Sequence, residues 1–215
     1  MRRTKAEAQE TREQILDAAE RVFHEKGVSR TSLNDIAGAA GFTRGAIYWH
    51  FKNKHDVFAA MLERKRLPLE ALAQRAEHPE EKDPLGRLRE FLIYVLCETV
   101  RDPSRRRVLE IIFQKCEFTV ETDPLMTRQK ESFLEASKSM RIILGRAIER
   151  GQLPESLNIE RAVTLLHVQV CGLLYVWLLV PETFDLEQEA AHHVDCYLNT
   201  LKLCPSISGC PDSPS

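Results

Sequence analysis

Thr31-Ser-Leu-Asn-Asp-Ile-Ala-Gly-Ala-Ala-Gly-Phe-Thr-Arg-Gly-Ala-Ile-Tyr-Trp-His-Phe51 reads as two short helices joined by a tight turn. Leu33, Ile36, Ala37 and Ala40 recur at helical spacing, so the first helix has one apolar face. Gly41 permits the left-handed backbone of a tight turn, and Thr43 can cap a second helix. There Ile47 and Phe51 lie four apart and pin the helix inward, while Arg44 and Tyr48, also four apart, share a different face. Helices this short persist only when packed against something larger. The pattern predicts a helix-turn-helix over about residues 32–51, whose second helix presents its first residues to base edges in a DNA groove.

Outward from this stretch the chain reads as helix after helix. Thr4 with Glu7 resembles a capping box, and Ile15, Ala18, Ala19, Val22 and Phe23 trace one face of a helix from about residue 5 to Lys26, which Gly27 ends. Asn53 with Asp56 starts a connecting helix, about Asn53 to Leu67, that carries Val57, Phe58, Met61 and Leu62. The charged stretch His78-Pro-Glu-Glu-Lys-Asp-Pro84 is a loop. Leu85, Leu88, Leu92, Val95, Leu96 and Thr99 form the next helix face, ending near Asp102-Pro103, and Ser104 is placed to cap a helix through Cys116. Asp123-Pro124 opens a helix to Gly151, Asn158 one that ends before Pro181, and Asp185 with Gln188 one that reaches about Cys204. The expected class is all-α, with about nine helices: a DNA-binding head over residues 1–53, a helical body over 54–204, and a disordered Pro/Ser/Gly-rich tail over 205–215.

Charge is divided along the chain. Through residue 66 there are 13 Lys/Arg against 9 Asp/Glu, a net +4, while the remainder holds 17 against 23, a net −6. A basic front with an acidic back fits a small nucleic-acid module joined to something else. Arg2, Arg3 and Lys5 can reach a duplex as a basic arm, although such an N-terminus is commonly just solvated; Arg105, Arg106 and Arg107 read as a solvated helix start. The six cysteines show neither Cys-x-x-Cys spacing nor paired histidines, so neither a metal site nor a cofactor is expected. No signal-peptide pattern is present, so the expected location is the reducing cytoplasm, with free thiols. Without a Ser/His/Asp order or a phosphate loop, no enzyme is expected either.

Ala162 to Val180 is apolar nearly all round and long enough to span a membrane. Thr164, His167 and Gln169 interrupt it, and an amphipathic helix follows Pro181, so it reads as a helix shared between the body's core and a dimer interface, not as a membrane span.

The run Thr43-Arg-Gly-Ala-Ile-Tyr-Trp-His-Phe-Lys-Asn-Lys54, preceded by Thr31-Ser-Leu-Asn-Asp-Ile-Ala37, resembles the signature of the TetR family of one-component transcriptional repressors. In the body, Ile111-Ile-Phe-Gln-Lys-Cys-Glu-Phe118, Arg150-Gly-Gln-Leu-Pro154 and Trp177-Leu-Leu-Val-Pro181 resemble the AcrR-type subgroup, which represses multidrug efflux-pump genes. The resemblance implies an all-α homodimer on a palindromic operator, with half-sites about 34 Å apart as dimeric helix-turn-helix geometry requires. It also implies release from DNA when a small drug-like or dye-like inducer, lipophilic or cationic, fills a cavity in the body.

Residue by residue, the resemblance implies Thr43, Arg44, Gly45 and Tyr48 as groove-facing positions. His50 and Lys54, with Thr31, are implied as phosphate contacts. Arg44 can fork onto a guanine edge, whereas the hydroxyls of Thr43 and Tyr48 and the Lys54 ammonium suit phosphate oxygens. Trp49 is expected in the core, since adjacent helical positions face different ways and Tyr48 already points outward. For the effector, the implied lining is Phe91, Val95, Phe113, Gln129, His167, Val170, Cys171 and Tyr175. Alternatives are a thiol sensor using Cys116 or Cys171, a regulator of an unrelated metabolic operon, and a helical scaffold without DNA activity.

Overall fold

The computed structural model describes residues 5–116, 124–203 and 207, and among them the regular structure is all helical. The helices are α1 (Lys5–Lys26), α2 (Leu33–Ala39), α3 (Arg44–His50), α4 (Lys54–Ala76), α5 (Pro84–Arg101), α6 (Pro103–Glu110), α7 (Pro124–Glu149), α8 (Ile159–Leu179) and α9 (Leu186–Leu203), with a π-helical segment, Ile111–Lys115, directly after α6. The all-α class expected from periodicity is the class observed. Asp123, the N-terminal arginines and the expected disordered tail, save Ile207, lie outside the described residues.

The chain packs as two compact units, one formed by Met1–Leu67 with Asp102–Glu131, the other by Pro68–Arg101 with Ser132–Ser215. In the first unit α1 contributes Ile15, Leu16, Ala19, Val22 and Phe23 to a core that also takes Leu33 and Ile36 of α2, Ile47 of α3, and Val57, Phe58 and Met61 of α4. Phe23 meets Phe58 edge to face at 5.6 Å, the geometry that ring quadrupoles favour. The turn between α2 and α3 closes with paired hydrogen bonds, Phe42 N to Ala37 O at 2.9 Å and Gly41 N to Gly38 O at 3.2 Å, around a left-handed Gly41 with φ +73°. That pairing satisfies carbonyls at the end of α2 that no helical N–H can reach.

The core of this unit also includes Val108 of α6 and Ile111 of the π segment, so α6 packs on the head. Helix α6 is capped by Asp102, whose side chain accepts from Ser104 N at 2.9 Å, and not by Ser104 as the sequence suggested. With proline at its first position the helix starts two residues earlier, which frees the Ser104 hydroxyl to donate to Glu20 at 2.6 Å. Glu20, 3% exposed, also accepts from Arg107 at 2.8 Å and Arg64 at 3.3 Å, so one carboxylate ties α1, α4 and α6 together. Each charge at this buried point has a partner, which offsets its lost hydration.

Helix α4 continues through Pro68 to Ala76, nine residues beyond the end expected at Leu67. In the second unit α5 packs on α9, with Leu88, Leu92 and Leu96 facing Val194, Leu198 and Leu201 in the buried set. A two-pronged Arg89–Asp195 pair, 2.6 and 2.8 Å, borders that contact. Asn158 caps α8 as expected, accepting from Arg161 N at 3.0 Å. Helix α8 buries Ala162, Val163, Leu166, Leu174, Trp177 and Leu178, and the Tyr197 hydroxyl of α9 donates to Ala162 O at 3.1 Å.

Two outcomes test this local reading. A Cβ added at Gly41 would meet nothing within 4 Å, so Gly41→Ala should cost only the left-handed backbone penalty, about 1–2 kcal/mol by urea denaturation; an unchanged midpoint would show that the turn relaxes. At the start of α2, the hydrogen bond from Lys26, then those from the Ser32 hydroxyl and N–H, hold the Asp35 carboxyl well below the usual carboxylate range. Because the folded value is the depressed one, the contribution of Asp35 to stability is complete above its ordinary pKa of about 3.9 and is lost as pH falls from there through the folded value. Lys26→Met should therefore raise the Asp35 titration seen by carboxyl carbon NMR, and an unmoved titration would assign the depression to Ser32 alone.

Candidate DNA interface and effector surface

Helix α3 is seven residues long and buries one of them, Ile47. Its C-terminal cap, Phe51, is 4% exposed and lies under the Arg12 guanidinium of α1 at 5.1 Å, while Thr43 caps the start by accepting from Ala46 N at 3.3 Å. Ile47 and Phe51 thus set the rotation of the helix, and every other side chain follows from the ~100° step per residue. Thr43, Arg44, Gly45 and Tyr48 are all exposed. The Arg44 guanidinium sits over the Tyr48 ring at 5.3 Å, which extends the arginine along the helix.

Trp49 departs from expectation. It is 74% exposed rather than buried, because it lies two positions from Ile47, about 200° around the helix and so on the side opposite the core. That rotation was legible: once Ile47 is inward, Trp49 has to be outward, and a ~100° step from an outward Tyr48 is too small to carry Trp49 into the core. Its indole is braced edge-on against the half-buried His50 ring at 4.6 Å, and His50 in turn is 6.3 Å from the ring of Phe51.

The positions assigned to phosphate differ among themselves. Thr31 is 3% exposed and donates its hydroxyl to Gly27 O at 2.7 Å, so it braces the α1–α2 loop. The cap of α2 is its neighbour Ser32, in a reciprocal box with Asp35, and this pair at the spacing of a capping box is the signal that would have found it. Lys54 donates to Val28 O at 3.0 Å and Ser29 O at 2.8 Å, fastening the start of α4 to the same loop. An ammonium has three donors, so one remains for an external oxygen. Lys52, not singled out by the sequence, is exposed beside it.

The implied effector residues are drawn from both units. Phe113 and Gln129 belong to the first unit, and Phe91, Val95, His167, Val170, Cys171 and Tyr175 to the second. Within the second unit Val170 borders an apolar crevice between α5, α8 and α9 whose free volume, about 10 Å³, holds a single water at most. His167, one turn before Val170 on α8, has its Nδ1 2.9 Å from Val163 O and its ring 4.5 Å from that of Phe133 on α7. Phe133 and Leu134, which sequence reasoning missed, are 51% and 60% exposed and give α7 an apolar surface beside that histidine.

Cys171 and Tyr175 fall on an exposed apolar stripe of α8 with Val168, Val176 and Leu179. Crowding around the sulfur pushes the Cys171 thiol up from its ordinary value, and burial does the same for Cys97. Both therefore stay protonated at neutral pH, where a thiol is a poor nucleophile. Cys116 instead borders an open recess of about 240 Å³ in the first unit with Lys26, Arg30 and Lys115.

The profile of bacterial regulatory proteins of the tetR family matches residues 15–61, and that of the C-terminal region of MAATS-type transcriptional repressors matches residues 83–203. The chain is 44% identical to the probable HTH-type transcriptional regulator ArpR of Pseudomonas putida, over 96% of this chain and 99% of that protein. Among solved structures it resembles NalD, the secondary repressor of the MexAB-OprM multidrug efflux pump in Pseudomonas aeruginosa, with TM-score 0.83 and 36% identity over 93% of this chain and 100% of that one. It likewise resembles the complex of triclosan with SmeT from Stenotrophomonas maltophilia, with TM-score 0.82 and 36% identity over 95% and 98% of the two chains. With both halves of the chain matched, and the reader helix turned outward as such a regulator needs, the protein belongs to the TetR family of transcriptional repressors.

Proposed function

We propose that this protein is a homodimeric, cytoplasmic repressor of a multidrug efflux-pump operon, released from a palindromic operator by a small lipophilic or cationic compound. The observation that carries the reading is the outward face of α3, where Arg44, Tyr48 and Trp49 are exposed while Ile47 and Phe51 fix the rotation that exposes them. The efflux assignment is supported by likeness to NalD and SmeT over more than nine tenths of the chain.

In this reading Arg44 reads a guanine by a bidentate contact, and Thr43, Tyr48, His50, Lys52 and the remaining donor of Lys54 take phosphates. Thr31 acts one step back, by bracing the loop that Lys54 also grips. Gly45 lets the helix approach closely. The effector is taken by apolar surface with few polar groups, and Phe133 with His167 is the pairing that best fits such a lining. Release is a population shift: the effector binds one arrangement of the dimer better than the arrangement that fits the operator, and a coupling of about 1–3 kcal/mol is enough to switch occupancy. The exposed stripe on α8 supplies the dimer contact, which accounts for so apolar a helix without a membrane.

The reading is tested first on a duplex carrying the region upstream of the protein's own gene: the purified protein should retard it, and triclosan, as the probe, should release it. Failure to bind that region or any selected duplex would remove the repressor assignment. Arg44→Ala should cost about 1–3 kcal/mol on the cognate duplex and little on a random one, whereas equal losses on both would reduce Arg44 to a phosphate contact. For the dimer, Val176→Glu with Leu179→Glu should convert it to monomer in sedimentation velocity while the helical circular dichroism persists. A dimer that survived both charges would place the interface elsewhere.

A further inference from the structure

We propose that His192 and Cys196 of α9, together with the same two residues of a second copy of this chain, form a zinc site on the two-fold axis of the dimer. The inference rests on the homodimer reading above and begins with one distance. His192 and Cys196 are both exposed, and the His192 Nε2 lies 3.8 Å from the Cys196 Sγ. A tetrahedral zinc, with Zn–S of about 2.3 Å and Zn–N of about 2.0–2.1 Å, holds sulfur and nitrogen about 3.6 Å apart. The two side chains therefore already stand at the bite of that metal. They lie one turn apart on one face of a helix, the spacing at which paired zinc ligands sit on a helix.

Two ligands do not close a site. Among the described residues no third His, Cys, Asp or Glu joins them to make a group that holds a metal. Asp195, between them in the sequence, is engaged by Arg89 at 2.6 and 2.8 Å. Symmetry supplies the other two ligands if the pair lies on the face where the copies meet, and it does. Helices α8 and α9 run antiparallel: the Tyr197 hydroxyl donates to Ala162 O at 3.1 Å, and Gln169 Nε2 to His193 O at 2.9 Å. Around α8, the exposed Gly172 and Val168 lie about 60–100° from Gln169, on the side opposite to the buried Leu166. Around α9, Cys196 and His192 lie about 60–100° from His193, on the side opposite to the buried Val194. Both stripes turn from the α8–α9 contact away from the core, so they look out over one surface. The apolar stripe of α8 and the two ligands of α9 thus belong to one dimer face.

Gly172 marks where that face is approached. A Cβ there would meet nothing within 4 Å and its backbone is not left-handed, so the chain's own fold does not call for a glycine, which weakens a helix relative to alanine. A partner helix packed against the spot does. With Gln169 beside His193 and the helices antiparallel, Gly172 stands within one turn of the level of His192. Two thiolates and two imidazoles in a tetrahedral set select zinc, and a closed set of four leaves no open position, so the site is structural. Two thiols and two neutral imidazoles take up one Zn²⁺ and release two protons, which leaves the site uncharged. A disulfide between the two Cys196 residues is the competing occupant, and a reducing compartment disfavours it. Because the site exists only in the dimer, zinc drives association by mass action. At free zinc 100 times its dissociation constant the dimer tightens about a hundredfold.

The test uses the full chain, stripped of metal, kept under a non-chelating reductant and titrated with zinc or cobalt. The wild type should take up about half an equivalent of zinc per chain and release about two protons per zinc to an indicator dye. Cobalt should give the intense visible absorption of a tetrahedral thiolate complex, and saturating zinc should tighten the dimer about a hundredfold in sedimentation equilibrium. His192→Ala and Cys196→Ser should each abolish uptake while the helical circular dichroism and the zinc-free dimer persist, since both side chains are exposed. Val176→Glu with Leu179→Glu should abolish it by removing the partner. A full equivalent per chain would overturn the inference, as would uptake that survives in Cys196→Ser or in the monomeric variant. A wild-type dimer that takes up no zinc overturns it and leaves the dimer reading standing, even if air oxidation links its Cys196 residues. A chain that stays monomeric with and without zinc removes the dimer reading and this inference with it.

Discussion

The docking of α3 through Ile47 and Phe51 is the constraint on which the function depends. A seven-residue helix has neither the length nor the internal hydrogen bonding to hold itself, so its orientation is that of the core it plugs into. Ile47 is fully buried among residues of the first unit, and Phe51 is covered by the Arg12 guanidinium. Rotating α3 by one residue would exchange Trp49 for Tyr48 or His50 at the outermost position and change the chemistry of the exposed face without altering a single side chain.

The same core reaches α6. Val108 and Ile111 share it with Ile15, Phe23 and Phe58, and the Glu20 carboxylate binds Arg64, Arg107 and Ser104 from two further helices. The loop between α1 and α2 is tied in as well, by Val28 N to Lys115 O at 3.1 Å and by Lys54 to the carbonyls of Val28 and Ser29. A displacement of α6 or of the π segment after it is therefore felt by α1, α4 and the loop that positions α2. Packed side chains of this density move as a set, which is the physical basis for passing a state from one helix to another.

Helix α8 shows how one composition serves two surroundings. By length and apolarity alone it qualifies to cross a membrane, yet only a third of it is buried within its own chain. Its buried face meets α9 through Tyr197 and Gln169, and its exposed face repeats apolar residues at helical spacing. An exposed stripe of that kind is the surface the proposed second copy would cover.

Local chemistry made most of the fold legible in the sequence. The period of apolar residues, the left-handed glycine at Gly41 and the cap at Asn158 each specify their element through interactions within a few residues, so α1, the helix-turn-helix and α8 fell where they were read. The motif around Arg44 and Tyr48 was legible for the same reason. What lay beyond reach involved partners far apart in the chain: the grip of Lys54 on Val28 and Ser29, and the place of α6 on the head's core. Trp49 stands between the two. Its angle was contained in the sequence as a step of two from Ile47, but which side of α3 faced water was decided by the packing of Ile47 and Phe51, since burial is a property of the assembled core and not of the residue that enters it.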